Sequence, residues 1–197
     1  MSDTPNDHII RVRGLVTRFG THIVHEDLDV DVRRGEIIGI VGGSETGKSV
    51  LLPAIVGRMK PQRDQIEVFG QSVRDKPEAE YRRRRRRWGV MFQDGALFSS
   101  LIVRQNVEAP MREQLHLDND LRETLVGIKV RMVGLPENAQ TKYPSEMSGG
   151  MRKRAGFARA IALDPVIVFL DEPTAGFDPT VAAAFNILIK QLQNVLG

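Results

Sequence analysis

Residues 42–49 read GGSETGKS: a glycine, four residues, then glycine, lysine and serine. Glycines let a backbone turn its N–H groups inward around a polyphosphate, and a helix starting there adds the positive end of its dipole. In such a loop Gly42, Gly43, Ser44, Glu45, Thr46 and Gly47 form the cradle. Lys48 reaches the β- and γ-phosphates, and the Ser49 hydroxyl ligates Mg²⁺. A chance glycine-rich turn is the alternative. The apolar run EIIGIVG (36–42) before the loop and the helical spacing of SVLLPAIVGRM (49–59) after it argue against chance, because a strand, a loop and a helix are what this chemistry needs.

Two further stretches carry chemistry. VIVFLDEP (166–173) is an apolar run ending in Asp171 and Glu172. Ligands of open α/β sheets gather at the carboxyl ends of strands, which would let Asp171 hold Mg²⁺ and Glu172 activate a water. A solvated strand end is the competing reading. In SEMSGGMRKRAGFARAIALDP (145–165), Ser148, Gly149 and Gly150 expose backbone N–H groups at a helix start, a second anion site. SGG alone is usually only a cap. Two such sites in one chain point to a head-to-tail dimer in which each subunit closes the other's nucleotide.

The elements that must position these groups are legible in outline. HIIRVRGLV (8–16) and the less regular IVHEDLDVDV (23–32) read as half-buried antiparallel strands, and EIIGIVG is short and continuously apolar, like a strand buried on both faces. QIEVFG (65–70), WGVMF (88–92) and VIVFL (166–170) are further strands. Helices are expected over 77–87, over 103–132 with a break near His116–Asp120, over 148–164 and over Thr180–Leu196. Strands alternating with helices predict a mostly parallel sheet covered on both faces.

Composition bounds the class. The chain has 197 residues, 41% hydrophobic and 27% charged, as one globular domain does. No apolar run approaches the ~20 residues of a spanning helix, and MSDTPNDH does not read as a signal peptide. With no cysteine, disulfides and thiolate metal sites are excluded, and the cytosol is the expected address. The net charge of +3 is local: six of the 28 basic residues are Arg82–Arg87, and the other 22 face 25 acids. That run reads as a solvated helix face, a contact for anionic headgroups, or a nucleic-acid patch. The first is favoured, and the last is weakest because only Tyr81 and Trp88 flank it where single-strand binders interleave aromatics.

On these motifs the chain resembles the ATP-binding subunits of ABC transporters over essentially its whole length. GGSETGKS is similar to the Walker A motif, MSGGM (147–151) to the signature motif, and VIVFLDEP to Walker B with its catalytic glutamate. AGFDP (175–179) is similar to the D-loop, Gln93 to the Q-loop glutamine, and Phe19 to the aromatic that stacks on adenine. FQDGALFSSLIVRQNV, SGGMRKRA and ALDP, with Met151 where most relatives carry glutamine, most resemble the Mla-type, MCE-linked phospholipid transporters.

The resemblance implies ATP and Mg²⁺ as ligands. It implies an α/β fold, a P-loop NTPase (RecA-like) core with an antiparallel β part and an inserted helical subdomain at about residues 94–163. Glu172, Gln93 and Lys48 become the catalytic groups, Ser49, Gln93 and Asp171 the metal-holding ones. Met151 and Asp178 join Ser148, Gly149 and Gly150 in closing a partner's nucleotide. The implied partners are an integral membrane permease, a second copy of the chain and an MCE-type lipid-binding protein, at the cytoplasmic face of the inner membrane and without nucleic acid. GALFSS (95–100) would lie where such subunits touch the permease; ordinary packing of Ala96, Leu97 and Phe98 is the equal alternative.

Several residues depart from the family pattern. Glu45 stands where glycine is usual, bringing a carboxylate toward the triphosphate and predicting weakened binding. Pro53 interrupts the helix after the loop, and Gly156 sits in the signature helix where alanine is usual, each predicting lost stability. The family's next strand and its switch histidine would follow Gly197, and the histidines at 8, 22, 25 and 116 precede the acidic strand. The sequence therefore reads as a domain incomplete at its C-terminal end, able to bind ATP and slow to hydrolyse it. A nucleotide-binding subunit without turnover and a soluble ABC ATPase of nucleic-acid metabolism are the alternatives.

Overall fold

The computed structural model describes residues 8–43, 46–61, 63–73 and 86–196. They belong to two compact units, Met1–Glu78 and Ala79–Gly197.

The first unit is built on an antiparallel sheet of β1 (His8–Phe19), β2 (His22–Arg33), β3 (Arg63–Val68) and β4 (Gln71–Ser72), in the order β2-β1-β3-β4. β1 is its spine. Ile10 lies opposite Val32 and Val68, and Val12 opposite Val30 and Ile66. Burial then changes phase: Ile10 and Val12 are buried, and so are Leu15 and Thr17. A register shift between Val12 and Leu15 makes the switch, with Gly14 at φ 56 and its N–H donating to Asp29 Oδ1 at 2.8 Å. A bulge adds one residue to one strand and exchanges the side chains that face the core.

The segment 36–42 departs from expectation. It pairs with no strand among the described residues, and Ile37, Ile38, Ile40 and Val41 are 54, 40, 51 and 92% exposed. Its composition favours a strand, but a ladder needs a partner, which the described residues do not supply. The next helix, α1 (Lys48–Ile55), is shorter than its apolar spacing predicts. Pro53 removes one helical donor, and its carbonyl accepts from the N–H groups of Arg58 and Met59 in a turn where Gly57 takes φ 70.

The second unit pairs β5 (Trp88–Met91) with β6 (Ile167–Leu170) in parallel, Met91 opposite Leu170. The mostly parallel sheet predicted from element order is thus, among the described residues, this parallel pair plus the antiparallel sheet of the first unit. Among the described residues four α-helices accompany the pair: α2 (Val103–Gln114), α3 (Asn119–Met132), α4 (Gly149–Ala160) and α5 (Pro179–Leu196). The break between α2 and α3 falls where sequence placed it, and the Asp118 carboxylate caps α3 by accepting from the Leu121 N–H at 2.8 Å. Met91, Val107, Met111, Val130, Phe157 and Phe185 meet in one core.

α4 is the unit's central helix, and glycines let it approach its neighbours. A methyl group on Gly156 would stand 2.5 Å from the Gly95 Cα, and one on Gly95 would stand 2.7 Å from the Arg152 carbonyl oxygen. Gly156 is therefore a packing requirement where sequence alone read a weakness. Arg86 and Arg87 form an exposed turn before β5 instead of prolonging a helix, while Arg82–Arg85 and most of the predicted 77–87 helix lie outside the described residues.

Candidate functional site

The predicted site residues divide between the two units. In the first, Gly42, Gly43 and Thr46–Ser49 form a tight turn into α1, while Ser44 and Glu45 lie outside the described residues. The turn is held from within: the Thr46 hydroxyl donates to the Gly43 carbonyl at 2.9 Å, and the Thr46 N–H to the same oxygen at 3.3 Å. Lys48 donates to that carbonyl too, at 2.6 Å, and to the Gly42 carbonyl. Its ammonium is thus fixed at the mouth of the loop by backbone oxygens. Gly47 caps α1 at φ 81, a conformation that favours glycine, and a methyl there would overlap Val24 and stand 2.6 Å from His25 Nε2. Phe19 is 56% exposed at the end of β1.

His25 was not evident from motifs. It is buried beneath Gly47 and sits opposite Thr17 in register, with Nδ1 2.7 Å from the Thr17 hydroxyl. Burial holds its imidazole below the usual histidine range, so it is neutral at pH 7. The hairpin register would have paired these residues, whereas no local spacing signals the phosphate-loop contact.

In the second unit the parallel register of β5 and β6 assembles the acidic side. Met91 and Leu170 are partners, so residues one and two beyond each strand emerge together. The Asp171 N–H donates to the Met91 carbonyl at 2.9 Å, and Gln93 Nε2 donates to Glu172 Oε2 at 3.3 Å. Burial, and next the neighbouring Glu172 charge, pushes the Asp171 carboxyl above its usual range. A divalent cation beside Asp171 would favour its charged form, so the residues fit one. Glu172 itself takes φ 45, uncommon for a residue with a side chain.

The remaining predicted residues begin two helices. The Ser148 hydroxyl caps α4 by accepting from the Met151 N–H at 3.3 Å, leaving Gly149 and Gly150 in the first turn. Asp178 Oδ1 accepts from the Thr180 and Val181 N–H groups at 2.9 and 3.1 Å, so this carboxylate caps α5. Two basic residues of α4 that motif reading passed over brace the loops on either side. Arg159 donates to the Gly95 and Ala96 carbonyls at 3.1 and 3.0 Å, and Lys153 donates to the Glu172 and Ala175 carbonyls at 3.0 and 2.6 Å. Their acceptors lie 22 or fewer residues away for one and over 60 away for the other, beyond any helical spacing.

The predicted contact stretch 95–100 resolves residue by residue. Leu97 packs on the core, while Phe98 is 55% exposed with the Arg159 guanidinium 5.6 Å from its ring centre. The wholly buried Asn106 pins this loop, accepting from the Phe98 N–H at 2.8 Å and donating to the Leu101 carbonyl at 2.9 Å. Among the described residues no helix is long and apolar enough to cross a membrane.

The chain is similar to known proteins in sequence and in fold. The ABC transporter family matches residues 25–175. The chain is 39% identical over 192 residues to the intermembrane phospholipid transport system ATP-binding protein MlaF of Haemophilus influenzae, covering 98% of this chain and 72% of that one. It is 40% identical over 183 residues to the probable ribonucleotide transport ATP-binding protein mkl of Mycobacterium leprae, covering 93% of this chain and about half, 52%, of that one. Among solved structures, cbiO1 of Clostridium perfringens, part of the ABC transporter complex cbiONQ, superposes with a TM-score of 0.85 at 28% identity, over 96% of this chain and 75% of that one. The ATP-binding cassette MJ0796, solved as a dimer bound to ADP and Pi, also gives 0.85 at 25% identity, over 94% and 83%.

Proposed function

The chain belongs to the ABC transporter family, with the fold of its ATP-binding cassettes, and from that premise we propose that it binds and hydrolyses MgATP to drive phospholipid movement by a membrane permease. The observation that carries hydrolysis is the hydrogen bond between Gln93 and Glu172, which sets an amide and a carboxylate side by side beyond paired strands. In this reading Glu172 accepts the proton of the attacking water and Gln93 orients that water. Lys48 and the amides of the 42–49 loop hold the phosphates, and Phe19 stacks on the adenine. Mg²⁺, held by Ser49, Asp171 and Gln93 together with nucleotide oxygens, would neutralise phosphate charge.

Ser148, Gly149, Gly150 and Met151, with the Asp178 turn, would close the nucleotide of a second copy, as the dimeric cassette MJ0796 supports. The domain is a single nucleotide-binding domain with its helical subdomain at about 94–163. The permease would meet the 95–100 stretch, where Phe98 is 55% exposed. The reading places the protein at the cytoplasmic membrane face, with an MCE-type lipid-binding protein in the assembly. Phospholipid is favoured by the likeness to MlaF at 39% identity. The mkl likeness supports ribonucleotide as the second cargo reading.

Lys48→Ala tests the nucleotide half. No other side chain of the loop offers a positive charge to the phosphates, so calorimetry should find MgATP binding abolished. Undiminished binding would remove the phosphate-loop assignment. Co-purification with a permease, and cargo release by phospholipid rather than ribonucleotide vesicle assays, tests the transport half.

A further inference from the structure

We infer that Lys153 is a positioning residue for Glu172, a buried ammonium that fixes the backbone of the 172–177 loop; the inference rests on the reading of Glu172 as the general base. Lys153 is 2% exposed on α4 and pairs with no carboxylate among the described residues. A buried charge without a counter-ion is unfavourable unless its donors are used. Here two of the three donors are taken by carbonyls, those of Glu172 at 3.0 Å and Ala175 at 2.6 Å, and the charge stands 5.0 Å from the centre of the Phe177 ring. The ring is itself packed edge-on against Phe185 in the core.

The Glu172 carbonyl also accepts from the Ala175 N–H at 3.2 Å, so one oxygen is held from within the turn and from α4. This anchored carbonyl belongs to the residue whose φ is 45 and whose carboxylate meets Gln93. A strained backbone at a reacting group persists only where its surroundings over-determine it. Lys153 supplies that determination without touching the carboxylate. Because α4 begins at the Ser148 cap, the same helix carries both the signature turn and the brace behind the acid.

Lys153→Met keeps length and burial and removes the donors. In the full-length protein it should lower kcat for ATP hydrolysis by about 100-fold, the effect expected of a reacting group displaced by about 1 Å. KM for ATP and the affinity for a non-hydrolysed ATP analogue should stay within about threefold. Amide exchange at residues 172–177 should quicken by at least about tenfold. Lys153→Arg, which restores a buried cation and its donors, should recover most of the turnover. If Lys153→Met does not fold, Lys153→Gln, which keeps uncharged donors, is measured in its place and should show a smaller loss of the same kind. Turnover within about twofold of wild type, or unchanged exchange at 172–177, overturns the inference. If Glu172→Gln leaves wild-type hydrolysis unaltered, the ATPase reading fails instead, and loop exchange in Lys153→Met alone decides for or against the brace.

Discussion

Segments 36–49 and 171–178 each carry charged groups beyond an apolar run, yet they are stabilised by different means. The first is held by its own atoms, with Thr46 and Lys48 bonding to Gly42 and Gly43, and the apolar run leading into it stands open. The second leaves a strand with a partner and is braced by Lys153 from a core helix. If the 42–49 loop holds phosphate as proposed, Lys48 must exchange its bonds to the Gly42 and Gly43 carbonyls when phosphate arrives. A loop braced from outside already has its shape. On the proposed function, nucleotide binding would therefore depend on rearrangement of the first segment, and the acid-bearing side on prior packing.

Glu45→Gly would sharpen that contrast most. Replacing the carboxylate should tighten MgATP binding by up to about 100-fold, the equivalent of one like-charge contact at ~6 Å in an effective dielectric of ~20. The gain should be smaller for ADP, and calorimetry on both nucleotides checks it. Unchanged affinity would place the carboxylate in solvent and leave the loop governed by backbone alone.

A paired glycine substitution probes the braced half with a smaller effect. Gly156→Ala adds a methyl 2.5 Å from the Gly95 Cα, so overpacking of about 1–3 kcal/mol should outweigh the ~1 kcal/mol gain in helix propensity. Gly127→Ala, on α3, meets nothing closer than an Arg131 nitrogen at 3.5 Å and should stabilise by about 1 kcal/mol. Denaturant midpoints of opposite sign are expected. A stabilising Gly156→Ala would mean that α4 and the Gly95 turn are free to separate.

The smallest effect concerns pH. The folded state holds the His25 imidazole below its unfolded value, so the unfolded chain takes up the proton first as pH falls. The stability this lends is complete above about pH 6.5 and declines as pH drops from there through the lower folded value. Melting temperatures between about pH 5.5 and 7.5 should fall toward acid, and His25→Leu should flatten the decline. An equal slope in the variant would assign the acid sensitivity elsewhere.

Much of this molecule is readable from local pattern. β1 and β2 are legible as strands from their residue pattern, Ser148 caps its helix as its place before the two glycines predicts, and the break near His116–Asp120 is found. Neighbours along the chain decide those features. Pattern reading fails where a distant partner decides. EIIGIVG has the composition of a buried strand but finds no ladder among the described residues, and Gly156 looks like a weak helix residue until Gly95 is seen against it. The same holds within the site. Glu172 and Gln93 are legible as residue types near motifs, but their contact follows from the Met91–Leu170 register. Lys153 resembles any lysine of a basic helix, and only the fold reveals its carbonyl partners.

The open run Ile37–Val41 bears on how the protein behaves in a tube. It is uncharged and free of proline, β-branched apart from Gly39, and Val41 is 92% exposed. Short segments of that kind offer unpaired amides and carbonyls to any chain that can lie alongside, and self-association through them grows with concentration. Concentrated samples should therefore lose material as β-rich aggregates while the helices of the second unit are still intact.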